Sequence, residues 1–222
     1  MKKVITIDGP AGAGKSTVSK AVAVRLGYLY LDTGALYRAL ACKALKNKID
    51  VNDSGALAKL CATTDVTLRN LNGKMAVFVD GHDVGEQIRT EEIGLAASTL
   101  SAFPVVREKL LSLQREAGAR GGIVAEGRDM GSVVFPNADA KFFLDANIEE
   151  RIRRRHEEHL QKNEPVERDA ISRDMQARDF QDSRRKIAPL TAAPDAVVID
   201  STFLDVLQVV EKIMECISEK NG

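Results

Sequence analysis

The chain is poor in the features that mark several protein classes. It has three cysteines in 222 residues, and Cys42, Cys61 and Cys216 lie far apart. An odd, scattered set excludes a disulfide framework or a cysteine zinc site and reads as reduced core thiols. It has no excess of charge, with Lys plus Arg and Asp plus Glu both at 32. No global field therefore points to nucleic acid or a membrane surface as partner. It has no apolar run near the length of a membrane span. The first such run stops at Asp8, too short for a secretory signal, so a cytoplasmic location is expected. Repeats and low-complexity tracts are absent. His156-Glu157-Glu158-His159 resembles a zinc-protease helix only superficially, because that motif needs its second His at 160, which is Leu. What remains is ordinary: 44% hydrophobic and 29% charged, enough for one sizeable domain or a core carrying an insertion.

Against this background one stretch stands out. Val4, Ile5 and Ile7 suit a buried strand, and Ser16–Leu26 suits a helix stopped by Gly27. Between them Gly9, Pro10, Ala11, Gly12, Ala13, Gly14, Lys15 and Ser16 fit G-x-x-x-x-G-K-[ST], the phosphate-cradling P-loop, with Thr17 following. The glycines permit positive φ, so backbone N–H groups turn inward as an anion nest at a helix N-terminus. The motif predicts Lys15 on the β- and γ-phosphates and Ser16 on Mg²⁺. A bare strand-to-helix turn would not require the Lys and the hydroxyl. A dinucleotide fingerprint fails at Thr17, where Gly or Ala is needed.

The rest reads as an α/β chain with one change of texture. Tyr28–Leu31 is a second strand ending at Asp32-Thr33-Gly34, followed by a helix over Ala35–Lys46 with Tyr37 and Arg38 in its first turns. Asp32 or Thr33 there suits an N-cap, and Arg38 beside a strand's carboxyl end suits a ligand phosphate. After a short helix over Ser54–Cys61, Asp65–Leu71 and Lys74–Asp80 alternate apolar and polar around Asn72-Gly73, a hairpin signal, and His82–Val84 suits a third short strand. Thr90 caps a helix that carries Ser98, and Pro104 opens another with Arg107 in its first turn. Ile123–Ala125 is a buried strand leading into Glu126-Gly127-Arg128-Asp129. Ala140–Leu144 and Ala196–Asp200 are further core strands. Asn147 and Glu150 have the spacing of a capping box before an arginine-rich helix, and Asn163-Glu164-Pro165 breaks it. Arg178, Asp182 and Arg185 share one face of the next helix; the pattern fits either an exposed salt-bridged stripe or a nucleotide contact. An amphipathic helix over Phe203–Ile217 closes the chain.

Several segments in order carry a resemblance: Ile7–Thr17, Leu31–Arg38, Ile88–Glu92, Gly127–Pro136, Arg178–Arg185 and Ala188–Leu190. Together they resemble the nucleoside monophosphate kinases, and within them the bacterial cytidylate kinases, nearly end to end. The resemblance implies a P-loop kinase fold with a five-stranded parallel sheet of order 2-3-1-4-5. It also implies a core over 1–61, 104–153 and 169–222, a monophosphate-binding insertion over about 62–103, and a helical lid over about 154–168. It places the CMP phosphate near Arg38, Arg128 and Arg185. The cytosine falls near Ser98, Arg107 and Asp129, the sugar near Arg178 and Asp182, and Thr33 and Tyr37 line the site. Lys15, Arg128, Arg154 and Arg185 become the catalytic cations, with Arg151 and Arg155 as further lid candidates. Family members often carry Asp at the position of Glu126 and Ser at that of Thr33; both exchanges keep the functional group.

The implied reaction moves the ATP γ-phosphoryl group to CMP or dCMP, with Mg²⁺, in a monomer. Two other readings fit a P-loop: a small-molecule kinase for shikimate, gluconate or another nucleotide, and a nucleotide-binding switch. Asn47-Lys48-Ile49-Asp50 matches the guanine-reading string of the latter, but it lies early and follows no clear strand.

Overall fold

The computed structural model describes residues 2–71, 73–161, 163 and 166–219. Its centre is β1 (Val4–Asp8), whose Ile5 and Ile7 are fully buried. On one side β1 pairs in parallel with β6 (Ile123–Gly127), and on the other with β7 (Ala140–Asp145). Next to β6 lies β2 (Leu29–Asp32), and next to β7 lies β8 (Val197–Asp200). The parallel part therefore has the expected order, β2-β6-β1-β7-β8. Such strands are covered on both faces, which explains their continuous apolar runs.

The antiparallel hairpin is not set apart from this sheet. Strands β3 (Val66–Leu71) and β4 (Lys74–Val79) pair from Val66↔Val79 to Leu71↔Lys74, and β4 joins β2 in parallel at Tyr30↔Lys74. Gly73 has φ +84, while Asn72, half of the hairpin signal, lies outside the described residues. The short β5 (His82–Asp83) pairs with the far side of β4.

Alternation in the strands divides the core. Ile5, Ile7, Tyr30, Val124 and Phe142 pack with α1 (Lys15–Leu26) and α8 (Val206–Glu219). Leu31, Ile123 and Ala125 point the other way, toward Met130 and Val134. A third cluster joins α2 (Thr33–Lys46), α3 (Ser54–Thr63), α4 (Glu91–Leu100) and α5 (Pro104–Gly118) to β3 and β4. The arginine-rich α6 (Ile148–Gln161) meets α7 (Arg168–Arg184) around Ile152, Ile171 and Met175. Glu164 and Pro165, expected to break the helix there, lie outside the described residues. Among the described residues no helix is long and apolar enough to cross a membrane, and the three cysteines are free thiols.

The structure departs from the local sequence signals in three places. The carboxylate of Asn147's expected capping partner, Glu150, turns to Arg153 and Arg154, and the Asn147 N–H goes to Thr202 Oγ1 at 2.9 Å. Only half of that box forms, with Asn147 Oδ1 accepting the Glu150 N–H at 2.8 Å. A full reciprocal box forms instead between Asp205 and Gln208, at 2.8 and 2.9 Å, so the last helix starts at Val206 rather than Phe203. Residues Met130–Val134 make a single π-helical turn that no sequence pattern announced.

Candidate active site

The loop after β1 has the conformation its glycines predict. Gly9, Gly12 and Gly14 have φ of +147, +75 and +86. A Cβ on Gly9 would lie 2.0 Å from the Leu144 carbonyl oxygen, so only glycine fits where the loop crosses β7. Lys15 follows at the start of α1, buried, with Nζ donating to the Pro10 carbonyl at 2.6 Å. Burial and the neighbouring Arg128 guanidinium push its pKa down from 10.5 to about 7. Ser16 Oγ donates to Glu126 Oε1 at 2.7 Å, linking the loop to the carboxyl end of β6. Burial, with Asp32 nearby, raises the Glu126 pKa.

A cavity of about 420 Å³ opens beside this loop, where the strands' carboxyl ends, α4 and α7 meet. A ligand site there is the expected place in an open parallel sheet. Its walls hold Lys15, Ser16, Thr33, Tyr37, Arg38, Ser98, Arg128, Asp129, Arg178, Asp182 and Arg185, residues that are dispersed along the sequence. Arg38 donates to Asp32 at 2.6 Å, and Asp32 also caps α2 through the Ala35 N–H. Arg128 Nε donates to Asp182 Oδ2 at 2.8 Å, and Ser98 Oγ donates to Asp182 Oδ1 at 3.3 Å. Arg178 packs against Gly94, where a Cβ would come within 2.4 Å of its Nη2. Burial and the nearby Arg128 lower the Arg178 pKa to about 10. Thr33 Oγ1 is turned away to the Glu126 carbonyl at 2.6 Å.

One end of the cavity is built differently. Asp129 is 3% exposed and is held between two arginines, pairing with Arg107 and reaching Arg185 Nη2 at 3.4 Å. Arg107 does not line the cavity; it stands behind Asp129, with its guanidinium 5.9 Å from the Tyr37 ring centre. Arg185 lies just past the end of α7, its Nη1 donating to Ser101 Oγ at 3.2 Å and its Nε to the Ala188 carbonyl. Ala188 is itself left-handed at φ +49, a costly conformation that aims its carbonyl at Arg185.

Several site residues escaped sequence reasoning. Glu91, in the first turn of α4, pairs with Arg155 of α6 and lies 3.9 Å from Arg178 and 3.5 Å from His159. Arg155 therefore faces the main cavity. Arg154 does not: its Nη2 donates to the Ser201 carbonyl at 2.6 Å, and it lines a second cavity of about 640 Å³ with Gly12, Gly14, Thr17 and the loop Ser201–Asp205. That loop carried no sequence signal except the Asp205/Gln208 spacing.

The comparisons fit this geometry. A family model described as cytidylate kinase matches residues 5–219. The cytidylate kinase of Geobacillus kaustophilus is 47% identical over 218 residues, covering 98% of this chain and 97% of the relative. That of Pasteurella multocida is 44% identical, covering 98% and 96%. Among solved structures, a gluconokinase from Sinorhizobium meliloti has a TM-score of 0.51 at 14% identity, covering 98% of this chain and 92% of its own. The shikimate kinase of Bacteroides thetaiotaomicron has 0.50 at 15%, covering 97% and 98%. At that identity the two show the shared kinase fold alone. With a family model spanning nearly its whole length and relatives of matching length at this identity, the chain belongs to the cytidylate kinase family.

Proposed function

We propose that the protein transfers the γ-phosphoryl group of ATP to CMP or dCMP, giving ADP and CDP or dCDP. The observation that carries the acceptor's identity is Asp129 held between Arg107 and Arg185 in the wall of the cavity. Cytosine offers an N4 donor beside N3 and O2 acceptors. A fixed carboxylate flanked by guanidiniums and the Ser98 hydroxyl is the complement of that edge. Uracil reverses the polarity at two of those positions and leaves buried groups unpaired, a mismatch that discriminates strongly.

Phosphoryl transfer needs positioning and charge neutralisation more than proton chemistry. The attacking phosphate oxygen is already ionised at neutral pH, so no general base is required. Arg38, Arg128 and Arg185 hold the acceptor phosphate, and Lys15 with the loop amides holds the donor phosphates. Arg178 and Asp182 take the sugar. Oxygen donors suit Mg²⁺, and Ser16 Oγ with the buried Glu126 carboxylate 2.7 Å away supplies a fitting pair. When bound, the ion neutralises charge on the transferred group. Adenosine enters the second cavity, between the loop at Gly12–Gly14 and Ser201–Asp205, with Arg154 beside it. Residues 62–103 act as the monophosphate-binding insertion and 154–168 as a lid whose closure excludes water. The working unit is a monomer.

The test is ADP formation from Mg·ATP with CMP, dCMP, UMP, AMP, GMP and shikimate. CMP and dCMP are expected to turn over well above UMP. Equal rates with CMP and UMP would leave a kinase but refute the role given to Asp129.

A further inference from the structure

Asp8 ends β1, directly before the phosphate-binding loop, and is 4% exposed. Its charge acts on the nearby Lys15, but that needs no particular hydrogen bonds, and burying a carboxylate is costly unless its oxygens are satisfied. Both oxygens are used across the sheet. Oδ1 accepts the Met130 N–H and Oδ2 the Gly131 N–H, each at 2.8 Å. Those amides open the π-helical turn that immediately follows Arg128 and Asp129. The turn has little freedom on its other side: a Cβ on Gly131 would lie 3.0 Å from Thr6 Oγ1 and 3.2 Å from Lys141 Cδ. A turn clamped in this way fixes the backbone from which Asp129 points, relative to the start of the P-loop.

We infer that Asp8 is a positioning residue for recognition of the acceptor base, its carboxylate clamping the Met130–Gly131 turn so that Asp129 is held at a set place against the P-loop. This rests on the reading of Asp129 as the partner of cytosine. The clamp makes one rigid body of the donor-phosphate loop and the base-reading carboxylate, two elements 120 residues apart that only the β1–β6 pairing brings together.

The experiment measures kcat and KM for CMP and UMP at saturating ATP, in the wild type, Asp8→Asn and Gly131→Ala. Affinity for a non-hydrolysable ATP analogue is measured in each. Asn keeps one acceptor but presents a donor to the second amide. The CMP-over-UMP ratio of kcat/KM is expected to fall roughly tenfold in Asp8→Asn, mainly through KM for CMP. ATP-analogue affinity should stay within about threefold. Gly131→Ala pushes the same turn from its other side and should lower the ratio in the same direction; it decides the matter if Asp8→Asn does not fold. A selective wild type whose variants keep the full ratio would overturn the inference alone. So would loss of ATP-analogue affinity as large as the loss of selectivity, which would confine Asp8 to the P-loop. An unselective wild type would overturn the cytosine reading and the inference with it.

Discussion

At the residue scale, burial determines what Lys15 does before it meets a phosphate. Its pKa, held near 7 by desolvation and Arg128, leaves the amine largely neutral at pH 8 in the free protein. Phosphate oxygens restore the charged form, so binding of ATP at pH 8 should take up a proton. Calorimetry in buffers of different ionisation enthalpy reads this directly, and no uptake would show that Lys15 is already charged. The sign for stability follows the same shift: the lowered folded pKa contributes stability above about 10.5 that is lost as pH falls through about 7. Lys15→Ala should cut kcat by roughly a hundredfold or more, the scale of a lost transition-state donor. Near-normal turnover would remove Lys15 from that role. Arg107 presents the complementary case. Its pair with Asp129 is buried, so Arg107→Ala strips one of two cations from a carboxylate that is only 3% exposed. A loss of about 3 kcal/mol is expected from urea denaturation, and a loss below about 1 kcal/mol would mean that Arg185 alone satisfies Asp129.

At the scale of elements, charge adds to apolar packing where α4, α6 and α7 meet at the site. Glu91, in the first turn of α4, reaches Arg155 and His159 of α6 and Arg178 of α7. One carboxylate thus ties the insertion to the proposed lid and occupies cations that nucleotide phosphates would otherwise attract. Glu91→Gln should raise amide hydrogen exchange in the second half of α6 in the nucleotide-free protein. Addition of CMP with a non-hydrolysable ATP analogue should erase the difference, because bound nucleotide then partners the arginines. Unchanged exchange in the free variant would show that the ion pairs do not hold α6. Periodicity within one helix puts Glu91 in the first turn of α4 but is blind to partners on two other helices. The same limit explains the capping boxes. Asn147/Glu150 and Asp205/Gln208 have the same spacing, and only the arginines packed beside Glu150 decide which box closes.

At the scale of the whole molecule, a net charge of zero conceals a local concentration of paired charges with a small basic excess. Eight basic side chains and six acidic ones line the main cavity, in a chain whose total is zero. Arg38, Arg128, Arg155, Arg178 and Arg185 each already contact a carboxylate, so much of the site is ordered before nucleotide arrives. Binding both nucleotides should therefore stabilise the fold without large rearrangement of the core. At about 100 times the dissociation constant each nucleotide contributes roughly 2.7 kcal/mol, which corresponds to a rise in Tm of roughly 5–10 °C per nucleotide for a domain of this size. A thermal scan with CMP and a non-hydrolysable ATP analogue checks it, and no rise with either nucleotide would contradict the assignment of the cavity. Light scattering of the same sample should give a mass near 24.2 kDa; twice that value would refute the monomer.

The strand–loop–helix at the start is legible in the chain alone, because Gly9, Gly12 and Gly14 leave the backbone few alternatives. So are the parallel strands, because only burial on both faces explains runs such as Ile123–Ala125. Local stereochemistry and burial act within a few residues, and a single chain displays them. What the tertiary structure decided was which charges meet. That Arg107 stands behind Asp129, that Arg154 turns to Ser201 while Arg155 faces the cavity, and that Asp8 clamps Met130 and Gly131 all depend on elements brought together by the sheet. Electrostatic partners are chosen by distance through space, and distance through space is what a linear pattern does not contain.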